Sequence, residues 1–145
     1  MKIEIREGFT ELEVLIKCCK ITEKVKNIES YLLHGFKEKL SATQNGTIHL
    51  IDRQDIFYFE SVDRQTFLYT ADEVYEISLK LYEIENLLAA SGFFRNSKSQ
   101  ILNIAKIESL RPDFGGRLEL VMKNGEQAVV SRQYAKLLKE RLRLK

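Results

Sequence analysis

Cysteine is scarce in this 145-residue chain, and the two present, Cys18 and Cys19, are adjacent. Neighbouring cysteines are poorly placed for an ordinary disulfide, which points to a reducing compartment and makes the cytoplasm the expected location. The only two histidines, His34 and His49, lie fifteen residues apart with no ligand cluster beside them, so no metal site is expected. Proline occurs once, at Pro112, which marks a loop, and tryptophan is absent. No apolar run is long enough to span a bilayer. The opening MKIEIREGFTE alternates apolar and charged residues and lacks the uninterrupted core of a signal peptide. There is no GxGxxG, P-loop or nucleophile elbow. The acids of residues 52–93 show no spacing suited to an acid–base pair. Together these absences argue against an enzyme, and no catalytic residue or cofactor is expected.

What remains is the composition of an ordinary globular protein, 44% apolar and 30% charged, at the length of one domain with a short extension. The net charge of +2 hides a strong polarity: residues 94–145 carry +7 and residues 52–93 carry −6. A basic end attracts a polyanion whatever the total charge, although a merely solvated surface reads the same way.

Along the chain, Lys2 to Arg6 has the alternation of a short strand. Thr10-Glu11-Leu12-Glu13 has the form of a capping box. Val14, Cys18, Ile21, Val25, Ile28 and Leu32 then form one apolar stripe on a helix of about five turns. That stripe can pack on its own domain, the favoured reading, or on a partner helix. Strands follow at Phe36–Thr43 and Thr47–Ile51 around Asn45-Gly46, a dipeptide favouring a type I′ hairpin. Further strands are predicted at Ile56–Ser61, Phe67–Thr70 and Val74–Ile77. Ser78 is placed to cap a helix bearing Leu81, Ile84 and Leu88, with Gly92 as its left-handed end. Strands at Gln100–Ile104 and Ile107–Leu110 precede a second hairpin, Arg117–Met122 with Gln127–Val130, turning at Asn124-Gly125. Ser131 opens a basic C-terminal helix, Gln133–Arg143. The predicted class is α+β, mostly β, with antiparallel strands and flanking helices.

Phe93 to Asn103 reads FFRNSKSQILN. Aromatic anchors lead into a polar segment offering Arg95, Asn96, Ser97, Lys98 and Ser99, and an apolar strand follows. Such a rooted segment projects donors able to reach phosphates or base edges in a major groove.

At this point the sequence resembles the LytTR DNA-binding domain. The pieces that carry the resemblance come in order: IHLIDRQDIFYFES, VYEISLKLYEIENLL, FFRNSKSQILNIAKIESL and GRLELVMKNGEQAVVSRQYAKLLKERL, together about residues 47–142. The resemblance implies an elongated, mainly antiparallel fold that reads DNA with loops. The base-reading positions implied are Arg64, Gln65 and Thr66; Arg95, Asn96, Lys98 and Ser99; and Ser131, Arg132 and Gln133. Lys98 and Arg132 stand at the places that matter most. Some members carry His or Asn at the first two positions, so the departure here implies a different site preference.

Each has a plainer alternative. Arg64 and Gln65 fit ordinary turn residues, Arg95 fits a brace for its loop, and Ser131 fits a helix cap. Lys136, Lys139, Arg141 and Arg143 fit a solvated face as well as a phosphate-neutralising one.

The resemblance further implies double-stranded promoter DNA with repeated half-sites as the partner, a possible homodimer, and an inhibiting membrane protein of the kind that accompanies stand-alone regulators. The division expected is 1–46 as an accessory or dimerisation element and 47–145 as the DNA-binding domain. The first part is too short for a phosphoacceptor receiver domain, so no control by aspartyl phosphorylation is expected. The competing reading is a protein-interaction module that uses the N-terminal amphipathic stripe, with DNA binding weak or lost. An RNA-binding sheet is disfavoured, because no paired motif of stacking aromatics is visible.

Overall fold

The computed structural model describes residues 1–34, 39–88 and 91–144. Among these, most of the regular structure is antiparallel strand. β1 (Lys39–Gln44), β2 (Thr47–Asp52), β3 (Tyr58–Val62), β4 (Gln65–Tyr69), β5 (Val74–Ile77), β6 (Phe93–Ser97) and β7 (Gln100–Asn103) form one sheet in the order β2-β1-β5-β4-β3-β7-β6. β8 (Ile107–Pro112), β9 (Leu118–Met122) and β10 (Gln127–Val130) form a second sheet in the order β10-β9-β8. The helices are α1 (Glu23–His34), α2 (Leu81–Leu87) and α3 (Arg132–Arg141). The predicted class, α+β and mostly β, is the one observed.

Successive strand residues point to opposite faces, and this chain uses the rule to build two cores. Phe59, Phe93 and Ile101 join Ile84 and Leu88 in one cluster. Their neighbours Phe94 and Leu102 join Leu118, Leu120, Val130 and Leu138 of β9, β10 and α3 in the other. β3, β6 and β7 therefore send side chains into a core on either face, which explains the consecutive apolar residues of IFYF, FF and IL in and just before these strands.

Turns follow the local chemistry. Asn45 and Gly46 have φ of 51° and 78°, the left-handed pair that a type I′ hairpin demands, and β1 pairs with β2 in the expected register. The Asn124-Gly125 turn is wider. Gly125 is left-handed at 88°, and the Asn124 carboxamide oxygen accepts from the Glu126 amide at 3.1 Å.

Several expectations are corrected. Lys2 to Arg6 forms no strand, and the helix begins at Glu23 rather than after Thr10. Val14, Ile21 and Leu32 of the apolar stripe are exposed, and Cys18 and Cys19 are likewise exposed. A helix stripe without a surface to cover lacks the packing that holds most helices. The Thr10 box goes unused; instead the Thr22 hydroxyl accepts from the Val25 amide at 3.4 Å. Residues 36–38 of the first predicted hairpin strand lie outside the described residues. β1 packs with the main sheet, burying Leu40 and Ala42, so the division expected after residue 46 falls inside a hairpin.

Lys80, not Ser78, precedes α2, and its amide donates to the Glu83 carboxylate at 3.3 Å. Gly92 is left-handed at 83° but sits in the turn before β6, beyond the Leu88 cap. Pro112 ends β8 instead of marking a loop, on an edge strand where a missing amide is tolerated. The last helix ends at Arg141, and Arg143 is left-handed at 56°.

Tyr58 and Tyr69 face each other across β3 and β4 with rings stacked at 4.3 Å. Burial, then a hydrogen bond to Glu126, pushes the Tyr58 hydroxyl strongly above its ordinary value. Burial, then the charge of Glu60, raises Tyr69. Both hydroxyls stay protonated in the folded chain where the unfolded chain would ionise. Their contribution to stability is thus full below a pH of about 10 and declines as pH climbs past it. Urea midpoints followed across that range should fall less steeply for Tyr58→Phe than for the native chain. An equal decline in both would place the alkaline sensitivity elsewhere.

Candidate nucleic-acid interface

The first predicted reading segment is a tight hairpin. Asp63 and Arg64 have φ of 50° and 68°, and Val62 pairs with Gln65 across them. Arg64 and Gln65 are exposed at this tip. Thr66 differs from expectation: it is 6% exposed on β4, opposite Ile77 of β5, so its side chain belongs to the protein interior.

The second segment is mostly strand, not loop. β6 continues to Ser97, and only Lys98 and Ser99 form the turn into β7. Arg95 is a brace. Its Nε donates to the Ser97 carbonyl at 2.7 Å, one terminal nitrogen donates to the Lys98 carbonyl at 2.6 Å, and the other bonds the Glu85 carboxylate of α2 at 3.0 Å. A guanidinium so engaged fixes the turn from beneath and is not free to read a base. The Ser97 hydroxyl accepts from the Ser99 amide at 3.2 Å, closing the same turn. Lys98 and Ser99 remain exposed at its tip.

Asn96 also departs from expectation. The register shifts between Arg95 and Ser97, leaving Asn96 as the extra residue of a bulge, and bulges redirect a side chain. Its side chain is fully buried. The carboxamide nitrogen donates to the Val129 carbonyl at 3.0 Å and to Gln100 Oε1 at 2.7 Å.

The third segment is the junction of β10 with α3. Ser131 has the extended backbone of an N-cap position, but its hydroxyl makes no capping bond. Arg132 and Gln133 are exposed on the first turn of α3. The stem of Arg132 lies across Gly116: a β-carbon added there would stand 3.3 Å from Arg132 Cγ. Arg141, at the other end of α3, donates to the Phe93 carbonyl at 3.0 Å and so anchors the helix to β6.

Backbone bonds bring these turns together. The Ser61 amide donates to the Ser99 carbonyl at 2.8 Å, joining the end of β3 to the Lys98 turn. The Ser131 amide donates to the Asn96 carbonyl at 2.9 Å, joining the start of α3 to β6. Lys98 and Arg132, 34 positions apart in sequence, thus sit on neighbouring turns. Lys98 stands in a turn, as expected, whereas Arg132 lies on the first turn of α3 rather than in a loop. Sequence reasoning missed Gly116 and the latching role of Asn96, because neither contact partner is near in sequence. Among the described residues no cluster of three metal-ligating side chains is found, and no helix is long and apolar enough to cross a membrane.

Exposed basic side chains on joined turns of a rigid antiparallel framework are the arrangement of a nucleic-acid-binding domain. The chain belongs to the LytTr DNA-binding domain family, whose pattern matches residues 46–143. It is 35% identical over 97 residues to the sensory transduction protein LytT of Enterococcus faecalis, covering 67% of this chain and 40% of that protein. With LytT of Bacillus subtilis it shares 34% over 111 residues, 77% of this chain and 46% of that one. The chain therefore spans less than half the length of either LytT protein. It matches an uncharacterized HTH-type transcriptional regulator of Staphylococcus aureus at 29% identity over nearly the whole of both chains, 98% and 97%. Among solved structures, the LytTr DNA-binding domain of a putative methyl-accepting/DNA response regulator from Bacillus cereus superposes with a TM-score of 0.70. That match has 26% sequence identity and covers 73% of this chain and 97% of the other.

Proposed function

We propose that this chain is a sequence-specific regulator of transcription that binds double-stranded promoter DNA, reads successive major grooves with its turns, and has no enzymatic activity. The observation that carries this reading is the Ser131–Asn96 backbone bond, which holds the Lys98 and Arg132 turns side by side. Family membership supports the same conclusion. Lys98 and Arg132 are the base-contacting residues, with Arg64, Gln65, Ser99 and Gln133 around them and Ser131 at a phosphate. Arg95, Asn96 and Thr66 act from within, fixing the turns. Exposed Lys136 adds backbone neutralisation.

Residues preceding β1 serve as an accessory or dimerisation element. The exposed apolar side chains of Val14, Leu15, Ile21 and Leu32 support a contact there with a second copy or with an inhibiting membrane protein. Action in the cytoplasm and repeated half-sites in the operator complete the reading. The interaction-module alternative has the same exposed stripe in its favour, but it does not account for the basic turns.

Titration of a duplex selected from a random pool, repeated across a salt series, tests the proposal. Affinity should fall about tenfold or more between low and physiological ionic strength if several phosphates are neutralised. Failure to select any duplex, or an affinity flat in salt, would leave the interaction-module reading in its place.

A further inference from the structure

Beyond the three predicted reading segments lies a fourth loop, between β8 and β9, at the same end of the molecule. Val130 pairs with Leu118, so the residues just before β9 stand beside Ser131 and Arg132. Gly116 gives this proximity a measure, since its missing β-carbon leaves the space occupied by the Arg132 stem. The loop is firmly held. The Asp113 amide donates to the Arg117 carbonyl at 2.9 Å, Arg117 Nε donates to the Phe114 carbonyl at 3.3 Å, and the Arg117 guanidinium pairs with Asp113 at 3.3 Å. Gly115 and Gly116, left-handed at 71° and 79°, let the chain turn sharply beneath Phe114.

Phe114 itself is 88% exposed. An ordered loop thus presents an uncovered aromatic ring two residues from the glycine that seats Arg132. A lone exposed ring is unremarkable on most surfaces, but this one is continuous with the proposed DNA-binding edge. Phenylalanine has a partner of suitable chemistry in the major groove, the 5-methyl group of thymine.

We infer that Phe114 is a specificity-determining residue that packs on a thymine methyl next to the base contacted by Arg132, so that the Asp113–Arg117 loop is a fourth DNA-reading element. This rests on the proposed DNA-binding function. Arg117, already fixed by Asp113, sets the angle of the loop and screens the acid from the phosphates.

The test uses the full chain and the duplex it selects from a random pool, with each thymine replaced in turn by uracil, which lacks only the methyl. At one thymine, within about two base steps of the Arg132-dependent position, the native protein should lose about fourfold in affinity, the effect of one buried methyl. Phe114→Ala should bind the unmodified duplex several-fold more weakly and should show no further loss at that uracil. Its urea midpoint should match the native one, because the ring is exposed in the free protein. If no uracil penalty disappears in Phe114→Ala, or if that variant binds the unmodified duplex as tightly as the native chain, the inference is overturned while DNA binding by Arg132 stands. A protein that selects no duplex at all overturns both.

Discussion

Arg132→Ala should weaken binding to a selected duplex by about 1–3 kcal/mol, roughly five- to 150-fold, as expected for loss of a bidentate contact to a base. The side chain is exposed on the first turn of α3, and its stem is steered by the bare backbone of Gly116. Its guanidinium makes no ion pair among the described residues, unlike Arg95, whose charge is committed to Glu85. Arg132→Lys is the informative companion. It keeps the charge but loses the planar fork, so its salt dependence should stay close to native while discrimination between selected and scrambled duplexes falls. Fluorescence anisotropy on both duplexes reads the difference. Native affinity in Arg132→Ala would reassign the residue to plain surface.

The second large effect is expected at Asn96, which touches no solvent. Asn96→Ala removes the donor to the Val129 carbonyl and to Gln100 and empties a buried site. Unmade buried hydrogen bonds of this kind cost about 1–3 kcal/mol, and the vacated volume brings the expected loss to about 2–3 kcal/mol in urea denaturation. Stability alone would not distinguish a latch from ordinary packing. The distinguishing measurement is a cycle with Lys98→Ala and Arg132→Ala, at a temperature where every variant is folded. In the native background the two should be strongly non-additive, because the turns are held in one geometry; in Asn96→Ala they should approach additivity. Equal coupling in both backgrounds would show that the Ser131–Asn96 backbone bond suffices without the side chain.

Much of this architecture was readable from local chemistry. Asn45-Gly46 specified its hairpin because both residues tolerate left-handed backbone, and the aromatic and branched runs around Phe59 and Ile101 read as strands. The order of the basic segments came from the family resemblance. Side-chain direction was legible in neither. FFRNSKS reads as anchors and then a loop, yet the bulge at Asn96 carries the strand on to Ser97 and turns one polar residue inward. Nothing in a run of polar residues announces which member is extra. The role of Arg95 depends on Glu85, ten positions earlier, and that of Asn96 on Val129, 33 positions later. The N-terminal stripe failed for the opposite reason: its periodicity is genuine, but periodicity states only that a face is available, and among the described residues no surface comes to cover Val14 or Ile21.

Phe93 and Phe94 send their rings into different clusters from adjacent positions on one strand. That strand ends in the Lys98 turn, so the turn is rooted in both packing layers at once. Pulling on it, as a bent duplex pulls on whatever grips it, loads the helix-covered layer and the three-stranded layer together. Amide protons of Phe94 and Leu102, which face each other across β6 and β7, should accordingly exchange only through openings that disrupt both layers, making the proposed contact tip among the last parts of the molecule to yield rather than the first.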